Sequence, residues 1–361
     1  MARRFGFTSL AVLSFACGLA VTGAVAAPKK ANVVPRDQAG HATLDGLWTN
    51  VSMTPEQRPA KFGTRGAYTA DEVKAIESAA VKELEDGNQN VDPEKGAPKV
   101  GGEAPPAGTR PEFVAAAGGT GGCDRGWLDP GSHVMRVGGE ARTSILTTAD
   151  GRTPKLREGA PKPPPFTLIN GGLGSFDNPE ERFMGDRCIL SFGRNGGPPM
   201  LANGFYNNNY QIVQAGNEIA ISMEMVHDVR HIRVNGVHRT DGIRPYFGDS
   251  IGHWEGDTLV VETTNIPQVQ AYYGSWKTLK VVERFQRVSE HRLRYAFTVE
   301  DPVMWEKPWG GEYEFNTLDQ PLYEYACHEG NYAFKGMMAG ARKQEADAAA
   351  KAAGKQVVGT R

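Results

Sequence analysis

Two short stretches and one isolated acid carry the side chains best suited to proton transfer. The first is His227-Asp228-Val229-Arg230. If the strand runs on through it, His227 shares a face with Met223 and Met225, and Asp228 shares the other with Glu224. A histidine on the apolar face of a barrel strand points to the interior, where a neutral imidazole serves as acid or base. Asp228 and Arg230 then pair on the opposite face, unless a bulge turns one of them inward. The alternative is a packed histidine donating to a carbonyl. The second stretch is residues 323–332, YEYACHEGNY. Read as a strand, it places Tyr323, Tyr325 and Cys327 on one face and Glu324 and His328 on the other. Where the strand ends, His328 and Glu329 can turn over a barrel mouth, with Asn331 orienting a ligand. The alternative is aromatic packing around an oxidised cysteine. Glu283 shares a face with Val281 and Phe285 and so points inward; a buried carboxyl holds its proton more tightly and is a candidate general acid.

The candidate catalytic residues are therefore His227, Asp228, His328 and Glu283. Candidate ligand-binding residues are Arg230, Glu329, Asn331 and Tyr325, with Tyr206, Asn208 and Tyr210 of the YNNNY run and Trp254. The asparagine run also has a plain reading as a turn, since asparagine tolerates left-handed backbone. His227 and His231 have the HxxxH spacing of a zinc site on a helix, but in a strand four residues span roughly 13 Å, too far for one ion. GxSxG, Walker A, Rossmann glycine and HExxH motifs are absent, which argues against serine hydrolase, NTPase, NAD-dependent and zincin chemistry. No metal or cofactor is expected.

The elements that must hold these groups are strands. Residues 218–301 alternate most clearly: Ile219, Ile221 and Met223 against Ala220, Ser222 and Glu224, then Tyr295, Phe297 and Val299 against Ala296, Thr298 and Glu300. Asn235-Gly236, Glu255-Gly256-Asp257 and Ser289-Glu290-His291 read as hairpin turns, making the block a β-meander. Further strands are expected at 143–148, 187–192 and 210–214. Thr69-Ala-Asp-Glu72 is a capping box opening an amphipathic helix over 70–86. Residues 88–122 read as an irregular loop or insert, 151–165 as a Pro-rich stretch, and 343–361 as a solvated, helix-prone tail. The fold class is mainly β: a single antiparallel β-barrel or strongly bent sheet, with one N-terminal helix and long Gly/Pro-rich loops. A β-sandwich is the alternative. Gly46-Leu47-Trp48 ahead of the meander resembles the start of a lipocalin-like (calycin) barrel.

The N-terminus reads as an export signal. Arg3 and Arg4 precede an apolar stretch, and Ala24-Val25-Ala26 is a small-residue cleavage pattern, so residues 1–26 are expected to be removed after Ala26. A periplasmic or secreted protein follows, with no stable membrane span. That removal takes away two arginines and no acid, leaving 38 basic against 42 acidic side chains, a balance that does not favour nucleic acid. Cys123, Cys188 and Cys327 remain, enough for one disulfide and one thiol. Residues 27–140 form an N-terminal segment and 141–342 a β-rich core.

Seven phrases in one order, among them DRCILSFGRNGGPPM (186–200), MVHDVRHI (225–232), GHWEGDTLVVETTN (252–265) and PLYEYACHEGNY (321–332), resemble a large family of exported, mostly uncharacterised bacterial proteins. The others are ARTSILTTADGR (141–152), YNNNYQIVQ (206–214) and VVERFQRV (281–288), so the resemblance covers roughly residues 141 to 342. It implies that Cys188 and Cys327 are the family's cysteines and form the disulfide. It implies no particular reaction. The expected function is binding of a small, partly aromatic or apolar molecule, with cofactor-free lyase, isomerase or hydrolase chemistry. A non-catalytic carrier and an envelope interaction module using 88–122 are the alternatives.

Overall fold

The computed structural model describes residues 34–87, 131–161, 176–191, 194–202 and 206–354. The expected signal segment, the 88–122 insert, Cys123 and the proline run at 163–165 lie outside them. Strands are β1 (Gly46–Thr49), β2 (Arg136–Val137), β3 (Glu140–Ala141), β4 (Asn209–Ala215), β5 (Glu218–Met223), β6 (Val229–Val234), β7 (Asp249–Glu255), β8 (Thr258–Thr264), β9 (Lys280–Ser289), β10 (Arg292–Glu300) and β11 (Trp309–Thr317). Helices are α1 (Ala70–Gly87), α2 (Cys327–Gly330) and α3 (Tyr332–Ala352).

Nine strands close into a barrel in the order β1, β11, β10, β9, β8, β7, β6, β5, β4, and β4 returns to β1. All neighbours are antiparallel except β6 and β7, which run parallel. The alternation sets the inner face: Ile219, Ile221, Val281, Phe285, Leu293, Tyr295 and Phe315 are all no more than 1% exposed. Closure removes the sheet edges that an open meander would leave unpaired. A calycin-like architecture is compatible with this barrel. At the Gly-x-Trp pair, Gly46 adopts φ 150° beneath the Trp48 indole, which leaves little room for a side chain. The Trp48 indole N–H donates to the Leu44 carbonyl at 2.9 Å, and the Arg287 guanidinium covers the ring at 5.0 Å.

The parallel pair corrects the meander. Asn235-Gly236 does not make a hairpin; it opens a crossover, 235–248, that travels back along the barrel before β7 begins. The other two predicted turns do join antiparallel neighbours, β7 to β8 and β9 to β10. Residues 143–148 form no regular strand: Leu146 makes one bridge to Gly311, where a side chain at 311 would collide with the Ile145 carbonyl. Residues 187–191 form turns, with Cys188 in left-handed backbone. Residues 323–332 are loop and helix rather than strand. The capping box is closed on both sides, with Thr69 N donating to Glu72 and Glu72 N to Thr69 Oγ1. α3 covers the helix-prone tail as far as Ala352, with no buried side chain.

Because hairpins alternate direction, the barrel has two unlike ends. Short turns at 216–217, 256–257 and 290–291 lie at one end, where Arg36 and the Ala42 amide bond Asp257. The longer connections 224–228, 265–279 and 301–308 lie at the other, where Tyr272 and Tyr273 bond Glu56 and Arg194 bonds the Gln270 and Ala271 carbonyls. The first is called the turn end, the second the loop end.

Candidate functional site

Asp228 sits at the loop end, where β6 begins. A strand running on through His227 does not form: the chain turns back at 224–228, with Met223 N bonded to the Asp228 carbonyl at 2.8 Å. Val226 and His227 take φ values of 57° and 55° to make that turn. The extra residues invert the face assignment. Met223 ends the inward set of β5, while Arg230, Ile232 and Val234 form that of β6. His227 is therefore exposed at the rim rather than inside the barrel, and Asp228 is buried at 8% exposure.

The Asp228 carboxylate accepts the Ser191 amide at 3.1 Å and the Ser191 hydroxyl at 2.7 Å, both on Oδ2. Burial raises its pKa, while the Ser191 bonds and the nearby His227 charge pull the other way. Asp228 lines a cleft of about 480 Å³ between β6 and the crossover. Leu190, Val229, Pro245, Tyr246 and Phe247 give the cleft apolar and aromatic walls. The Tyr246 phenol titrates high because it is buried and because the Asp228 charge faces it. A buried carboxyl, a phenol and an exposed imidazole around one cleft can exchange protons with a bound molecule.

Beneath the cleft lies a polar network inside the barrel. Arg230 is 1% exposed and Glu283 is fully buried. The guanidinium donates through Nη1 to Glu283 Oε1 at 2.9 Å and through Nη2 to Glu283 Oε2, and it also meets Ser250 and Thr263. Tyr295 donates to Glu283 Oε1 at 2.8 Å, accepts from Met200 N at 2.8 Å, and Tyr313 donates to the Met200 carbonyl at 2.9 Å. Both Glu283 oxygens are thus engaged by Arg230. Glu283 faces inward as its strand period predicts, yet it is placed as the counter-ion of Arg230 rather than beside a cleft.

The remaining candidates separate. His328 and Glu329 are exposed on α2, which the Cys188–Cys327 disulfide ties to the 186–191 loop with Cα atoms 5.7 Å apart. Asn331 donates to the Asp186 carbonyl at 2.8 Å, so it fixes that loop. Tyr206 stacks on Tyr325 at 6.3 Å, and Tyr210 lies in the core against Phe315. Asn208 accepts from the Asn195 amide at 3.0 Å. Its neighbours Asn207 and Asn209 donate to the buried carboxylate of Glu224 at 2.5 and 3.2 Å. Trp254 stacks on His41 at 4.6 Å at the turn end, roughly 16 Å along β7 from Asp249. Of the candidates, the structure brings His227, Asp228 and Arg230 to the cleft and leaves His328, Glu329, Trp254 and Glu283 out of its lining.

Sequence reasoning did not single out the residues that complete the cleft. Ser191 follows a turn read as a strand. Tyr246, Phe247 and Arg239 line the cleft from the crossover, which the parallel β6–β7 pairing places beside Asp228, and His238 anchors that segment from outside the lining. His238 Nδ1 lies 3.0 Å from Asp249 Oδ2 and Nε2 lies 3.1 Å from Glu262 Oε1. Both contacts are hydrogen bonds only in the doubly protonated ring. Glu262 also meets Lys280, and Arg284 of the neighbouring strand meets Glu255. Comparison of the chain with protein-family models, curated proteins and solved structures returns no match.

Proposed function

We propose that this chain is an exported barrel that binds a small, partly aromatic or apolar molecule in the cleft beside Asp228 and converts it by cofactor-free acid/base chemistry. The observation that carries this reading is Asp228 itself: a buried carboxyl with a raised pKa, held by Ser191 and lining a cleft with aromatic walls. A perturbed carboxyl set in a cleft is a recurrent feature of functional sites. The turn that delivers Asp228 supports it, since Val226 is a β-branched residue in left-handed backbone and strain of this sort clusters at functional sites. Asp228 is the proton-transfer group, Ser191 positions it, and His227 at the rim exchanges its proton with solvent. Export and membership of the exported bacterial family rest on the N-terminal signal pattern and the phrases of residues 141–342.

A carrier would use the same cleft without turnover. To separate the two readings, small-molecule extracts of a bacterial envelope fraction are incubated with the wild type and with Asp228→Asn, then compared by mass spectrometry. An enzyme consumes at least one compound and releases its product, and the variant loses that conversion by at least about a hundredfold, the usual weight of a general acid or base. Retention of a compound by both proteins with no product would establish the carrier instead. No compound retained or consumed by either would remove the cleft from consideration.

A further inference from the structure

The charged groups of the cleft are sorted by depth. Its two carboxylates are recessed and engaged: Asp228 by Ser191, and Asp249, at 2% exposure, by Arg233 at 2.9 Å, by His238 at 3.0 Å and by the Arg239 amide at 2.7 Å. Arg230 is consumed by Glu283. What solvent meets along the cleft is basic: His227, His231 and Arg239 are all exposed. Among the described residues Arg239 pairs with Asp241, two residues along, by a two-point contact through Nε at 3.2 Å and through Nη2; both side chains are open to solvent, so a ligand carboxylate competes with Asp241 for the same guanidinium. The root of Arg239 is nevertheless fixed, because its amide is bound by Asp249 and the preceding His238 bridges β7 and β8. The parallel register sets Ile232 against Ser250, so Asp249 lies alongside His231, three residues or roughly 10 Å from Asp228. Tyr246 and Phe247 line the same cleft.

From this arrangement we infer that the ligand is a small organic carboxylate with a flat aromatic or unsaturated body. The body lies against Tyr246 and Phe247, the acid group is met by Arg239 with His231 beside it, and the far end reaches Asp228. Asp249, at the Arg239 end, is paired with Arg233, whereas Asp228 is held by the neutral Ser191, so the reverse orientation would set the ligand's charge against the less compensated carboxylate. The inference rests on the cleft reading above and narrows it to one chemical class.

The test uses 4-fluorophenylacetate and its neutral counterpart 4-fluorophenylacetamide, titrated into the full exported chain and followed by fluorine NMR. The acid is expected to bind at least about tenfold more tightly than the amide, as a charge-assisted contact is roughly twice as strong as a neutral one. Arg239→Gln should bring the acid down to the amide and leave the amide unchanged, and added salt should weaken only the acid. Arg239 is exposed, so the variant's melting temperature serves as its folding control. Equal binding of acid and amide, both lost in Tyr246→Ala, would overturn the carboxylate assignment while keeping the cleft. Binding of neither probe would overturn the assignment and count against the cleft as well. Binding of the acid that survives Arg239→Gln unchanged would place the anion contact elsewhere and equally overturn the proposal.

Discussion

At the scale of single residues, the sign of the Asp228 shift makes a prediction independent of any substrate. Burial raises its pKa in the folded state above the unfolded value, near about 3.9. The folded protein then binds that proton more tightly than the unfolded chain. Asp228 therefore costs stability at pH above its shifted value, and the cost fades as pH falls through that value toward the unfolded one. An asparagine keeps an oxygen for the two Ser191 bonds and carries no charge to desolvate. Thermal melts of Asp228→Asn should exceed the wild type at neutral pH and converge with it below the ordinary aspartate range. A variant less stable than wild type at neutral pH would mean that the charged form is the favoured one. Stability given up at one group is the usual accompaniment of a site kept for chemistry.

At the scale of elements, the crossover decides whether a cleft exists. It has few contacts of the sheet type, and His238 clips it to β7 and β8 while Arg233 and Lys280 share the same two carboxylates. The acids Asp249, Glu262 and Glu300 face Arg233, Lys280 and the His238 ring. Replacing His238 by Gln should leave the barrel folded but release residues 238–248 locally. Amide hydrogen exchange of Arg239, whose N–H is bound by Asp249, should accelerate by about tenfold or more while β9 and β10 amides stay protected. Uniform acceleration across the barrel would show that the clip supports the whole fold instead.

At the scale of the whole molecule, the barrel was legible wherever one chain face is buried and the other wet. Val281, Glu283 and Phe285, and then Tyr295, Phe297 and Val299, announce their inner face because a period of two leaves no other arrangement. The disulfide pair was legible only through the family resemblance; spacing alone left three cysteines open. The candidate site was legible in part. Asp228 and Arg230 were singled out, but their side of the sheet was inverted, because the turn at 224–228 contains neither Gly nor Pro and places Val226 and His227 in left-handed backbone that local sequence preference disfavours. Asn235-Gly236 carries the strongest local hairpin signal yet opens a crossover, because β7 pairs parallel to β6 and the chain must return along the barrel before it begins. The Arg230–Glu283 pair is fully enclosed, and removing one partner would leave an uncompensated buried charge. The cleft could not be read because its two walls come from β6 and from a segment that local rules assign elsewhere.

The proposed role of Asp228 depends most directly on the protonation of its carboxyl. Carbon-13 NMR of aspartate-labelled protein, with the Asp228 resonance assigned by its absence in Asp228→Asn, reads that titration without knowledge of the substrate. The expected result is a midpoint above about 3.9, moving higher still in Ser191→Ala, where a hydrogen bond that favours the charged form is lost. A midpoint at or below that value, unmoved by loss of the Ser191 hydroxyl, would contradict the reading of Asp228 as a poised acid or base.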